Sequence, residues 1–87
     1  MQRKGSAVWQ GGLKDGHGQV STGSGGLASA PYTFASRFES GGKTDPEELI
    51  AAAHAACFSM ALSGQLGQAN LKADRIATTA NFLGRAD

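Results

Sequence analysis

The stretch DPEELIAAAHAACFSMALSG, residues 45–64, constrains the fold more than any other part of the chain, because its interior is apolar almost all the way round. Asp45 is a good helix N-cap, and Pro46 suits the first helical position, where no amide donor is needed. Glu48 stands three residues after the cap, where a capping box places its carboxylate. The helix expected over 45–66 therefore needs cover on most of its sides. Its stop is expected among Gly64, Gly67 and Asn70. A chain of 87 residues holds at most one small domain, which buries only about 60 to 65% of its unfolded surface. How such a helix finds its cover is the question the rest of the chain must answer.

Residues 1–43 hold ten of the thirteen glycines and read as a meander of short antiparallel strands. Ser6 to Gln10, Gln19 to Thr22 and Tyr32 to Glu39 are the expected strands, separated by Gly11-Gly12, Asp15-Gly16 and Ser24-Gly25-Gly26. Strand alternation would put Tyr32, Phe34, Ser36 and Phe38 on one face and turn Arg37 away from those aromatics. After the helix, residues 74–83 read as one more strand, with Ile76, Thr78, Ala80 and Phe82 on a common face. The expected class is α+β: an antiparallel N-terminal sheet, a buried central helix and one further strand.

Several functions are disfavoured by composition. A net charge of +1 with eight scattered lysines and arginines gives no basic face, so nucleic acid is not an expected partner. The N-terminus MQRKGSAVW has basic residues with no apolar core behind them, and a secretory signal is not expected. One cysteine cannot staple a secreted fold, which makes a reducing cytoplasm the expected compartment. The apolar run from Leu49 to Leu62 falls short of the roughly 20 residues a bilayer span needs, and no membrane role is expected. Cys57, His54 and His17 lack the ligand spacing of a zinc site, and neither metal nor cofactor is expected.

Cys57 can be read as packing or as chemistry. A lone cysteine in an alanine-rich helix usually behaves as a small hydrophobe. Reactivity requires a stabilised thiolate, yet Cys57 lies about three turns inside the helix, beyond useful reach of the helix dipole. A cation must come from elsewhere, and no Lys or Arg stands between Pro46 and Asn70. That leaves His54, one turn back, or a basic residue such as Arg37 delivered by another element. His54 itself reads first as a packed core histidine. Glu47, unlike Glu48, has no capping duty; it either favours the positive end of the helix dipole or binds something else.

The segments AVWQGGLKDGHGQVST, PYTFASRFE and DPEELIAAAHAACFSMALS resemble the N-terminal half of the OsmC/Ohr family of osmotically inducible and organic-hydroperoxide-resistance thiol peroxidases. The resemblance runs from about Lys4 to Thr79, and the arginine preceding the helix points to the OsmC branch. It implies an intertwined homodimer in which a cysteine reduces organic hydroperoxides and is recycled by a dithiol, lipoyl groups in the Ohr branch. It also implies that Cys57 is the peroxidatic cysteine, Arg37 its activating arginine, and Glu47 the carboxylate that holds the arginine. Ten residues at about 1.5 Å rise put Glu47 and Cys57 roughly 15 Å apart along one helix, so an antiparallel partner helix is expected to complete the site.

The chain is shorter than members of that family, whose second half supplies a strand, a second long helix and a resolving cysteine. A sulfenic acid at Cys57 would then find no second thiol in its own chain, and impaired turnover is expected. Two other classes compete. A non-catalytic thiol switch or a truncated interaction fragment would keep Cys57 without a peroxide site. A phosphate binder could use GHGQVSTGSGG, but that stretch lacks the lysine of a P-loop and leads into strand, which reads as a hairpin connection.

Overall fold

The computed structural model describes residues 1–38 and 41–83. The chain divides into two compact units, Met1–Pro46 and Glu47–Asp87. The expected α+β class is the class found: the described residues form three antiparallel strands and one long helix.

In the first unit, β1 (Gly5–Gln10), β2 (His17–Thr22) and β3 (Ala30–Tyr32) form a sheet in the order β1-β2-β3. The β1–β2 connection turns at Gly11, whose φ of 95° suits glycine, and the Gly16 amide donates to the Gly12 carbonyl at 2.9 Å. Register places Trp9 opposite Gly18 and Gly18 opposite Tyr32, so the middle strand presents no side chain between two aromatics. Their rings close over the gap, with centroids 5.5 Å apart and planes inclined at 46°. A Cβ at Gly18 would stand 2.7 Å from Trp9 Cε3 and 2.7 Å from Tyr32 Cε1. Gly18→Ala should therefore destabilise the first unit by about 1–3 kcal/mol, the usual cost of overpacking. A lowered urea midpoint followed by Trp9 fluorescence checks this, and an unchanged or raised midpoint would refute it.

The third strand differs from expectation. It stops at Tyr32, and the chain turns into a 3-10 helix over Ala35–Arg37; the end of the expected strand, Glu39, lies outside the described residues. The cause is local. The Ser36 amide donates to Thr33 Oγ1 and the Thr33 amide to Ser36 Oγ, both at 3.1 Å, the reciprocal exchange of a capping box. Side chains that satisfy backbone groups in this way compete with a sheet ladder. The chain then returns along β3, where Thr44 bridges to Tyr32 in parallel and its amide donates to the Pro31 carbonyl at 3.3 Å.

The second unit is built on α1 (Pro46–Gln68). It starts at the expected proline, with Glu47 and Glu48 in its first turn. It ends at Gln68, two residues beyond the expected boundary, and Asn70 just after it adopts φ 61°. The Leu71 amide donates to the Leu66 carbonyl at 2.8 Å and the Asn70 amide to the Gly67 carbonyl at 3.0 Å, the two bonds of a Schellman stop.

The expected burial of α1 is not found in this chain: none of its residues is buried. Among the described residues no hydrophobic side chain is buried at all. The reason is supply, because the only other described part of that unit is the short segment after the helix. At 23 residues and a mean hydropathy of 1.4 over its most apolar stretch, α1 is also long and apolar enough to cross a bilayer. The shortness of the Leu49 to Leu62 run therefore does not exclude a span, and a helix covered by protein passes the same test.

The expected strand over 74–83 is absent among the described residues. Its alternation survives over 76–81, where Ile76, Thr78 and Ala80 are half-buried while Ala77, Thr79 and Asn81 are exposed, but Phe82, expected on the same face, is exposed. Thr78 Oγ1 and Ser59 Oγ share a 2.6 Å hydrogen bond that fastens the segment to the helix. A strand needs a neighbouring strand for its backbone, and here its described neighbour is a helix.

Candidate functional site

Arg37 sits in the last turn of the 3-10 helix with its guanidinium carbon 5.8 Å from the centre of the Phe34 ring. This corrects the expectation that Arg37 points away from the aromatics. With three residues per turn, positions 34 and 37 share a face, whereas in a strand they would lie on opposite ones. Phe38 packs edge-to-face on Phe34, with centroids 5.9 Å apart. Such a cation–π contact contributes about 0.5–1 kcal/mol at an exposed site, enough to bias the orientation of the guanidinium.

The turn that carries Arg37 is anchored by its neighbour. Ser36 is 4% exposed, the one buried polar side chain among the described residues. Its hydroxyl oxygen lies 2.6 Å from the Thr33 carbonyl and 2.8 Å from the Thr44 carbonyl, so its single proton has two acceptors in reach. Ser36 thereby ties the start of the turn to the segment that leads into α1. Sequence reasoning placed Ser36 on an aromatic strand face; the Thr33-x-x-Ser36 spacing was the signal for its real role.

A cavity of about 360 Å³ opens beside Arg37 within the first unit. Trp9, Leu13, Tyr32, Phe34 and Pro46 line it, together with Thr33 and Arg37. One permanently charged guanidinium in an apolar, largely aromatic wall suits a guest with an organic body and one polar or anionic end. Trp9, Leu13 and Tyr32 were not singled out from sequence as site residues. Their assembly depends on the register through Gly18, which no local pattern reveals.

Glu47 and Cys57 stand on α1 in the second unit, the first half-buried and the second exposed. Their ten-residue spacing remains about 15 Å along the axis. Cys57 is a free thiol. His54, one turn before it, is exposed and is not the packed core histidine expected. Cys57 and Ser59 are two residues apart, about 200° around the helix. The face fastened by Ser59 to Thr78 is thus opposite the face that carries Cys57. Around the thiol the open side presents Ile50 at 55%, Phe58 at 53% and Met60 at 75% exposure. The structure thus gathers Glu47, His54 and Cys57 on one helix, and Arg37 with the aromatic cavity in the first unit. No group of three or more His, Cys, Asp or Glu that could hold a metal occurs among the described residues.

Compared with known families, the chain matches the profile described as OsmC-like protein over residues 39–87, more than half its length. The protein named Peroxiredoxin OsmC from Escherichia coli (strain K12) is 56% identical over 81 residues, covering 93% of this chain and 57% of its own. The protein of the same name from Shigella flexneri shows the same identity and coverage. The chain thus spans little more than half the length of these curated relatives.

Proposed function

Because the chain belongs to the OsmC-like family, we propose that it is the thiol-bearing part of a cysteine peroxidase that reduces organic hydroperoxides. The observation that carries this reading is Cys57: the sole thiol of the chain, free and exposed, on the side of α1 that its own tail leaves open. The relatives' name, peroxiredoxin, supports the same chemistry.

In this reaction the Cys57 thiolate attacks one peroxide oxygen. An S–O bond forms, the O–O bond breaks, and the alkoxide leaves with the electron pair and takes up a proton as the alcohol. Cys57 is oxidised to the sulfenic acid and the peroxide is reduced. Arg37 is the cation that favours the thiolate and the charge developing on the departing oxygen. Glu47 holds the guanidinium by a two-point contact. The aromatic cavity beside Arg37 supports an organic hydroperoxide as substrate.

Cys57 is the one cysteine in these 87 residues, and the reductant in this reading is an external dithiol, of which a reduced lipoyl group is one type. Its thiolate attacks the Cys57 sulfur and releases water. Its second thiol then displaces Cys57 and closes the dithiol's own disulfide. Such a cycle fits the reducing cytoplasm. The working form in this reading is a homodimer, with α1 of a second copy on the open face and the partner subunit's Glu47 near this Cys57.

The test is one equivalent of cumene hydroperoxide, followed by a dithiol, with free thiol and intact mass monitored. Expected are rapid thiol loss with gain of one oxygen, release of the alcohol, and return of the thiol. Oxidation of Cys57 no faster than that of free cysteine would overturn the peroxidase reading in favour of a slow thiol switch.

A further inference from the structure

A second cavity in the first unit, of about 410 Å³, lies at the open end of the β1–β2 hairpin and is lined by Gln2, Arg3, Lys4, Thr22, Gly23 and Ser24. We propose that this notch binds a phosphate group, free or carried as a monoester. The proposal is independent of the thiol chemistry.

Charge is the first argument. Two consecutive cations line the notch and no carboxylate does. Arg3 offers a planar fork that matches two oxygens of a tetrahedral oxyanion, and Lys4 adds a compact charge beside it. The second argument is that the opposite wall is fixed. The Gly23 amide donates to the Lys4 carbonyl at 2.8 Å, which closes the hairpin behind the cations. The loop beyond is held by Thr22 N–H to the Leu27 carbonyl and Gly25 N–H to the Thr22 carbonyl, each at 3.0 Å.

The hydroxyls supply the third. Thr22 Oγ1 accepts the Leu27 amide at 3.0 Å, and Ser24 Oγ accepts the Gly26 amide at 3.2 Å. Both oxygens are thereby held in place as acceptors. They lie 3.4 Å apart, so one hydroxyl proton can bridge them while the other is left to donate to a guest. Two cations and a positioned O–H on a hydrogen-bonded loop are complementary to an anion with several acceptor oxygens. The glycine-rich stretch lacks the lysine of a P-loop, and here the cations come from the chain's first residues instead.

The experiment is an NMR titration of the full 87-residue chain with inorganic phosphate, with sodium chloride of matched ionic strength as control. Held at about 0.1 M, the Debye length of about 10 Å screens diffuse attraction and leaves direct contacts. Saturable shifts of the Gly23, Ser24 and Gly25 amides are expected with phosphate and not with chloride. Arg3→Gln with Lys4→Gln should weaken binding about tenfold or more, as loss of charge-assisted hydrogen bonds implies. These substitutions leave the Lys4 carbonyl, and with it the hairpin closure, in place.

A parallel titration with adenosine 5′-monophosphate identifies the form of the ligand. Tighter binding than that of phosphate assigns a monoester, and equal or weaker binding assigns the free ion. Equal shifts with chloride, no saturation with either phosphate compound, or undiminished affinity in the double variant would overturn the proposal.

Discussion

Arg37→Ala is expected to slow oxidation of Cys57 by an organic hydroperoxide about 100-fold, with Cys57→Ser removing the reaction altogether. The size follows from the chemistry proposed for the site. A charged donor directed at an oxygen that gains charge in the transition state contributes about 3 kcal/mol when water is excluded. No lysine or arginine on α1 can substitute, since none lies between Pro46 and Asn70. Arg37→Lys should be intermediate, because it keeps the charge but loses the planar fork and its stacking on Phe34. Second-order rates of thiol loss under single turnover read the two arginine variants, and release of the alcohol from the hydroperoxide reads Cys57→Ser, which has no thiol to follow. Equal rates for Arg37→Ala and the parent chain would remove Arg37 from the catalytic assignment.

The second large effect concerns association. Ile50, Phe58, Met60 and Leu62 are exposed on a helix without a buried residue, so the isolated chain should sediment as a dimer or larger species. Ala61→Glu tests the origin of that association. On a solvated helix the substitution is nearly neutral, but beneath a partner it buries an unpaired carboxylate and should weaken the dimer by about 100-fold or more. If the covering element is a second, antiparallel α1, mixing Glu47→Ala with Cys57→Ala subunits restores one complete site per mixed dimer. A well-folded monomer by sedimentation would contradict the expected association, and no recovery in demonstrated mixed dimers would contradict the shared site.

Local chemistry was legible in the sequence and non-local placement was not. Asp45, Pro46 and Glu48 announced the start of α1, and Asn70 was among the residues expected to stop it. These signals act within one or two helical turns. The third strand was misread because Tyr32, Phe34, Ser36 and Phe38 alternate as a strand would, while Thr33 and Ser36 redirect the backbone through four short-range bonds. Hydrophobic alternation reports which side chains could share a face, but the hydroxyl–backbone exchange decides the conformation. Residues 74–83 illustrate the opposite case: the alternation holds over 76–81, and among the described residues the ladder that would make it a strand is missing. Of the site, Cys57 and Arg37 were visible as residue types. The aromatic wall around Arg37 was hidden, since Trp9 and Tyr32 meet only through a glycine on the strand between them.

The Ser59–Thr78 bond has a thermodynamic consequence for α1. A second copy of α1 docked on the Cys57 side, as proposed, would use the side of the helix opposite the segment held by Thr78, so the two would not compete for the same surface. Ordering of the tail and docking on the thiol side can then proceed as two equilibria, without one having to be undone for the other. Oxidation of Cys57 would alter only the exposed side of the helix. A change of redox state can therefore be felt by whatever sits against the thiol while the tail keeps its hold on the helix.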